Sequence, residues 1–209
     1  GGLHTLLLRF AKEIYRATNV PVAIIPGPLG GTNLYSHWQR DEADHEDRGT
    51  LYGALLHRAL VQRYATPPKG FLWYQGESDA GRGVENYKTD LKRLMAEYRE
   101  DLANPGLLFG IVQLATYHDA DLNTWIPIQE AQRETAEEDP DAVLSVTVDL
   151  PRVDTIHLNT LGLKTLGTRL AREFREHFYG HPIDASARLV QARLVSFGRG
   201  IELTYDAAV

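Results

Sequence analysis

The chain has 209 residues, 43% of them hydrophobic, which suits one α/β domain with a sizeable core and the start of a second. Its 22 Lys and Arg against 28 Asp and Glu leave a formal charge of −6, and no basic block stands out, which argues against a nucleic-acid partner. The absence of cysteine excludes disulfides and thiolate metal sites, and no apolar run is long enough to span a membrane.

Taken in order, Leu6, Phe10 and Ile14 recur every four residues among Arg9, Lys12, Glu13 and Arg16, the pattern of an amphipathic helix. Val20 to Ile25 is a short branched run that predicts a buried parallel strand, followed by a Gly/Pro-rich loop from Pro26 to Thr32. Asp41 to Arg48 is charged and predicts an exposed loop. Leu51, Leu55, Leu56 and Tyr64 mark a second helix, and Gly70 to Tyr74 a second buried strand that ends at Gln75-Gly76. Tyr87, Leu91, Leu94 and Tyr98 predict a third helix and Leu107 to Leu114 a third strand. Trp125 to Ala136 reads as a helix and Ala142 to Val148 as a fourth strand. Leu163, Leu170, Phe174 and Phe178 share one face of a last helix, with Asn159 or Thr160 placed to cap it.

Strands alternating with helices imply a parallel sheet covered on both faces, with the ligand site beyond the carboxyl ends of the strands. Residues 1–180 form this α/β domain. After Gly180, Ala187 to Val195 and Ile201 to Tyr205 predict a hairpin, so 181–209 reads as the start of a truncated β-rich domain.

Three polar stretches follow predicted strands. In Asp154-Thr155-Ile156-His157 the carboxylate can orient the imidazole and leave its other nitrogen free as a base, or the Asp can cap a turn beside a surface His. Asp149 is a competing carboxylate. In Trp73-Tyr74-Gln75-Gly76-Glu77-Ser78-Asp79 the amide of Gln75 can donate to a developing oxyanion, or Gln75 and Glu77 can satisfy a turn. Gly30-Gly31-Thr32 can aim backbone N–H groups at a ligand oxygen, or form a plain loop.

Gly30, Gly31, Thr32 and Trp38, with the run from Phe71 to Asp79 and the Asp154-to-His157 pair, resemble successive sequence blocks of the sialate O-acetylesterase and acetylxylan esterase-like branch of SGNH hydrolases. Leu51-Tyr52, Val112-Gln113-Leu114-Ala115 and Gln129-Glu130-Ala131-Gln132 fit the same branch, and the resemblance runs from about Leu6 to about Phe178. It implies a flavodoxin-like three-layer α/β/α fold and a serine esterase that removes O-acetyl groups from sialic acid or xylan-type sugars through an acyl-enzyme. It makes His157 the general base and Asp154 its orienting partner. Gly30 or Gly31 N–H and the Gln75 side chain become oxyanion donors, and Glu77 holds the loop. It implies no metal or organic cofactor and an acetylated carbohydrate as partner.

Two features depart from the branch. Leu158 stands where a proline usually follows the histidine, and no Gly-Gln-Ser-Asn-like turn precedes Gly30. Ser36, Ser78, Ser145, Ser186 and Ser196 lack that context. The expectation is therefore a chain whose nucleophilic serine lies upstream, where a leader for secretion or the periplasm would also lie. The alternatives are a non-catalytic carbohydrate-binding protein on the same scaffold and an unrelated flavodoxin-like binding domain.

Overall fold

The structure, a computed structural model, describes residues 2–61, 67–81, 84–117, 121–180, 189–195 and 200–205. Its elements are α1 (Gly2–Thr18), α2 (Leu34–His37), α3 (Leu51–Val61), β1 (Gly70–Trp73), α4 (Tyr87–Asp101), β2 (Leu108–Val112), α5 (Leu122–Glu138), β3 (Ala142–Ser145), α6 (Thr160–Tyr179), β4 (Leu189–Val195) and β5 (Gly200–Tyr205). Two units divide the chain, Gly1–Arg175 and Glu176–Val209.

The first unit is organised around β2, which is buried at all five positions. Strands β1 and β3 pair with it in parallel, one on each side, in register Phe71 to Phe109 and Gly110 to Val143. Because side chains alternate along a strand, β2 feeds two cores. Phe109 and Ile111 join Tyr52, Trp73, Leu91, Leu94, Tyr98 and Ile128 on the face covered by α3, α4 and α5. Leu108 and Val112 join Leu6 and Phe10 of α1 and Leu166, Leu170 and Phe174 of α6 on the other. The predicted heptad-like spacing of α1 buries Leu6, Phe10 and Ile14, and Phe10 meets Phe174 edge-on at 5.1 Å. Each such side chain contributes roughly 1.5–3 kcal/mol on leaving water.

Val20 to Ile25 departs from its predicted state. It forms no strand, and Val20 and Ile24 are exposed at 42% and 37%. A strand needs a ladder to satisfy its backbone groups, and among the described residues β1 pairs only with β2. The run is anchored instead by Val22 and Ile25, each packed against one of the two cores. Tyr64, assigned to the second helix, lies outside the described residues, as do the first two residues of the predicted 187–195 strand. The predicted strand reaching Val148 stops at Ser145. Asn159 caps α6, its side-chain oxygen accepting from Gly162 N at 3.0 Å.

The charged loop at 41–48 is tied to the end of α4. Asp101 accepts from Tyr52 Oη at 2.5 Å and lies 2.8 Å from His45 Nδ1. Arg40 approaches the same carboxylate at 3.5 Å. In the second unit β4 and β5 pair antiparallel, with Arg193 opposite Glu202 and Leu194 opposite Ile201, as the sequence pattern predicts.

Gly110 lets α6 lie close on the sheet. A Cβ there would sit 2.8 Å from Phe174 Cε2, 2.9 Å from Leu72 Cδ2 and 3.1 Å from Leu170 Cδ2. Three neighbours would have to yield together, so Gly110→Val is expected to destabilise the fold by about 1–3 kcal/mol through overpacking. Urea unfolding, read as a lower midpoint at unchanged slope, checks this.

Candidate active site

The polar stretches lie at the carboxyl end of the sheet because each directly follows or faces the exit of a strand. On leaving β3 the chain turns back on itself. Leu150 N bonds Thr147 O at 3.0 Å, and Val153 N bonds His157 O at 2.8 Å. Within this loop Asp154 Oδ1 accepts from Ile156 N at 2.9 Å and from His157 N at 2.7 Å, while Oδ2 lies 2.7 Å from His157 Nδ1. The carboxylate thus receives Nδ1–H, which fixes the tautomer and leaves Nε2 with its lone pair. His157 and Asp154 side chains are 64% and 48% exposed, so that nitrogen is open to solvent. The backbone N–H groups of His157 and Ile156, and then the imidazole, hold the Asp154 carboxyl down at about 2. Asp149, the competing carboxylate, is engaged elsewhere, in a two-pronged pair with Arg169 at 2.6 and 2.8 Å. Arg152 reaches from the same loop to the carbonyl of Thr116 beyond β2.

At the exit of β1 the chain turns at Gly76, whose φ of +146° and close neighbours (Ile128 Cγ2 at 2.8 Å from a Cβ placed there) admit only glycine. The turn carries a buried network. Gln75 Nε2 donates to Thr32 O at 3.0 Å and to Asp79 Oδ2 at 2.6 Å. Gln75 O accepts from Tyr87 Oη at 2.9 Å and Gln132 Nε2 at 2.8 Å. Gln132 Oε1 in turn accepts from Leu114 N at 2.9 Å, past the end of β2. Both amide hydrogens of Gln75 are therefore committed inside the protein. In this arrangement the side chain ties the loop of Gly30 and Gly31 to the sheet.

Gly30 and Gly31 lie exposed on that loop, with open space around both and φ +73° at Gly31. Their neighbour Thr32 is buried. Its hydroxyl donates to Leu29 O at 2.9 Å and accepts from Trp38 Nε1 at 3.2 Å. Burial pushes the Glu77 carboxyl up, and hydrogen bonds from backbone N–H groups oppose the rise. The structure thus joins Asp154 to His157 directly and Gln75 to the Gly30–Thr32 loop directly.

None of the described serines bonds to His157. Ser36 donates to Asn33 Oδ1 at 2.7 Å, Ser145 is 2% exposed, and Ser78 sits in the turn after Gly76. Ser186 and Ser196 lie outside the described residues. Among those residues no group of three or more His, Asp or Glu is arranged to hold a metal, and no helix is long and apolar enough to cross a membrane. Asp79, Tyr87 and Gln132, which organise the site, were named from the sequence only as members of the resembling runs or of a helix face, with no role of their own. Gln132 carries a signal, a polar residue where helix periodicity calls for an apolar one, beside Ile128 and Ala131 on α5.

A parallel α/β sheet with an oriented histidine at its carboxyl edge defines a class of hydrolase scaffold. Residues 5–176 match the family described as SASA, carbohydrate esterase, sialic acid-specific acetylesterase, and the chain belongs to that family. No curated protein matches it. Among solved structures, a protein of Arabidopsis thaliana superposes with a TM-score of 0.69 at 28% identity, covering 81% of this chain and 67% of its own. The carbohydrate acetylesterase XAC1771 of Xanthomonas citri superposes with a TM-score of 0.77 at 27% identity, covering 96% of this chain. The chain spans 46% of the length of XAC1771.

The depressed Asp154 carboxyl has a pH signature of definite sign. Its folded value lies below the ordinary 3.8, so its bonds are fully formed above that value and are lost as pH falls towards about 2. The Asp154 side-chain carboxyl carbon resonance is expected to show its own acid inflection only below about 3. A midpoint near 4 in an NMR titration would mean the carboxylate is not held as described.

Proposed function

We propose that the chain forms the acid–base and loop portion of an esterase that removes O-acetyl groups from carbohydrates. The observation that carries this reading is the Asp154–His157 pair, which presents an unbonded Nε2 to solvent at the carboxyl edge of the sheet. In this reading His157 Nε2 takes the proton from the attacking hydroxyl and returns it to the departing sugar oxygen, while Asp154 balances the imidazolium. Backbone N–H groups at Gly30 and Gly31 stabilise the oxyanion formed at the acetyl carbonyl. Glu77 steadies the loop. A flavodoxin-like arrangement of the whole sheet, with the nucleophile as a serine hydroxyl brought to Nε2, completes the serine mechanism. Water in that place gives direct hydrolysis instead, without an acyl-enzyme.

Membership of an acetylesterase family and the likeness to XAC1771 support an acetylated sugar as substrate. One observation favours a second reading, a protein that binds acetylated sugars without turnover: no described serine reaches His157.

Two measurements test the proposal. With a poor, non-sticky acetyl ester, kcat/KM is expected to fall on the acid side within about pH 5–8, where a histidine base protonates. Asp154 stays ionised through that range and so does not supply the limb, and a flat profile removes His157 from the role. A serine-reactive phosphonate is expected to leave Ser36, Ser78 and Ser145 unlabelled. Stoichiometric labelling of any of them together with fast turnover would place the nucleophile there. Sugar binding without any turnover would favour the second reading.

A further inference from the structure

Asp79 has no assigned part in the esterase reading, yet it is the most sealed acidic residue of the site, with no exposed surface. Its two oxygens receive only N–H groups. Leu34 N lies 3.0 and 2.9 Å from Oδ1 and Oδ2, Tyr35 N lies 3.4 Å from Oδ1, and Gln75 Nε2 lies 2.6 Å from Oδ2. No acceptor faces it, so the arrangement suits the ionised, acceptor-only form. Burial pushes the carboxyl up, and the Gln75, Leu34 and Tyr35 N–H groups pull it back.

The carboxylate also decides which way Gln75 points. With Nε2 towards Asp79, the second amide hydrogen meets Thr32 O. A flipped amide would set Oε1 against the Asp79 carboxylate and the Thr32 carbonyl at once, three oxygens without a proton between them. Asp79 therefore holds the chain just after Gly30 and Gly31 twice: directly through Leu34 and Tyr35, and through Gln75 at Thr32.

We infer that Asp79 is a positioning residue, which holds the Gly30–Gly31 backbone in place for the acetyl oxyanion by fixing the orientation of the Gln75 amide. This rests on the esterase reading for its functional consequence but not for its structural content.

The discriminating variant is Asp79→Leu, which fills similar space and offers no acceptor. Asparagine would not discriminate, because its oxygen at the Oδ2 position can accept from both Gln75 Nε2 and Leu34 N. If Asp79 merely caps the turn at Leu34, Gln75 keeps its bond to Thr32 O in Asp79→Leu. If Asp79 orients Gln75, the amide is free to turn over and Thr32 O loses its donor. Two readouts on the full chain separate these cases. By NMR, the Gln75 side-chain amide protons are expected to be protected from exchange in the native protein and to lose that protection by at least about tenfold in Asp79→Leu, with the Gly30 and Gly31 resonances shifted and the β2 amides unchanged. In acetyl-ester kinetics, kcat is expected to fall by about 10²-fold, in the range found for loss of an oxyanion donor, with KM little changed. Gln75→Met, which keeps the Leu34 contact, is expected to loosen the same loop and serves if Asp79→Leu does not fold. Intact Gln75 protection in Asp79→Leu, or a loop undisturbed in Gln75→Met, would overturn the inference. A native protein without any acetyl-ester turnover would instead overturn the esterase reading, and the exchange measurement would still decide the part played by Asp79.

Discussion

The amide of Gln75 bridges the Thr32 carbonyl and the Asp79 carboxylate where water does not reach, and the functional end of the sheet is assembled around that bridge. Removing one partner of a buried hydrogen bond leaves the other unsatisfied, at a cost of about 1–3 kcal/mol. Here every member has at least two neighbours. Tyr87 and Gln132 hold the Gln75 carbonyl, and Gln132 reaches on to Leu114. The network therefore ties the exits of β1 and β2 and the Gly30–Thr32 loop into one piece, and α5 supplies the brace.

Two supports of different kind meet at the site. The β1 side is rigid because it is buried and cross-linked by amides. The β3 side is exposed, and its order comes from short-range geometry: Asp154 bonds to two backbone N–H groups and a ring nitrogen no more than three positions away.

Much of this was legible in the sequence. Helices with a clean four-residue recurrence, such as Leu6, Phe10 and Ile14, sit where the pattern puts them, because a helix satisfies its own backbone and needs the rest of the protein only for its apolar face. Val20 to Ile25 has an equally strong apolar signal, yet it forms no strand, because a strand depends on a neighbour that a local pattern does not reveal. Asp154 and His157 were legible because both partners lie within one short motif. The part played by Gln75 was not: whether its amide faces solvent or the protein depends on Asp79 and Thr32, and the contact with Thr32 spans 43 positions. The polar residues of the supporting network were hidden for a related reason. Tyr87 and Gln132 look like ordinary members of amphipathic helices until the strand exits they meet are known.

The closure of Asp154 and His157 within a single turn has a consequence for how such a site can change. The separation of base and carboxylate is written into the loop and does not depend on how the helices around it pack. Sliding or tilting of α6 would move the two together, as a cassette. What the scaffold must supply is only an aim, the direction in which Nε2 points, and here that aim depends on contacts such as Arg152 with the Thr116 carbonyl. Redirecting the cassette would therefore leave the spacing of carboxylate and imidazole inside it as it was.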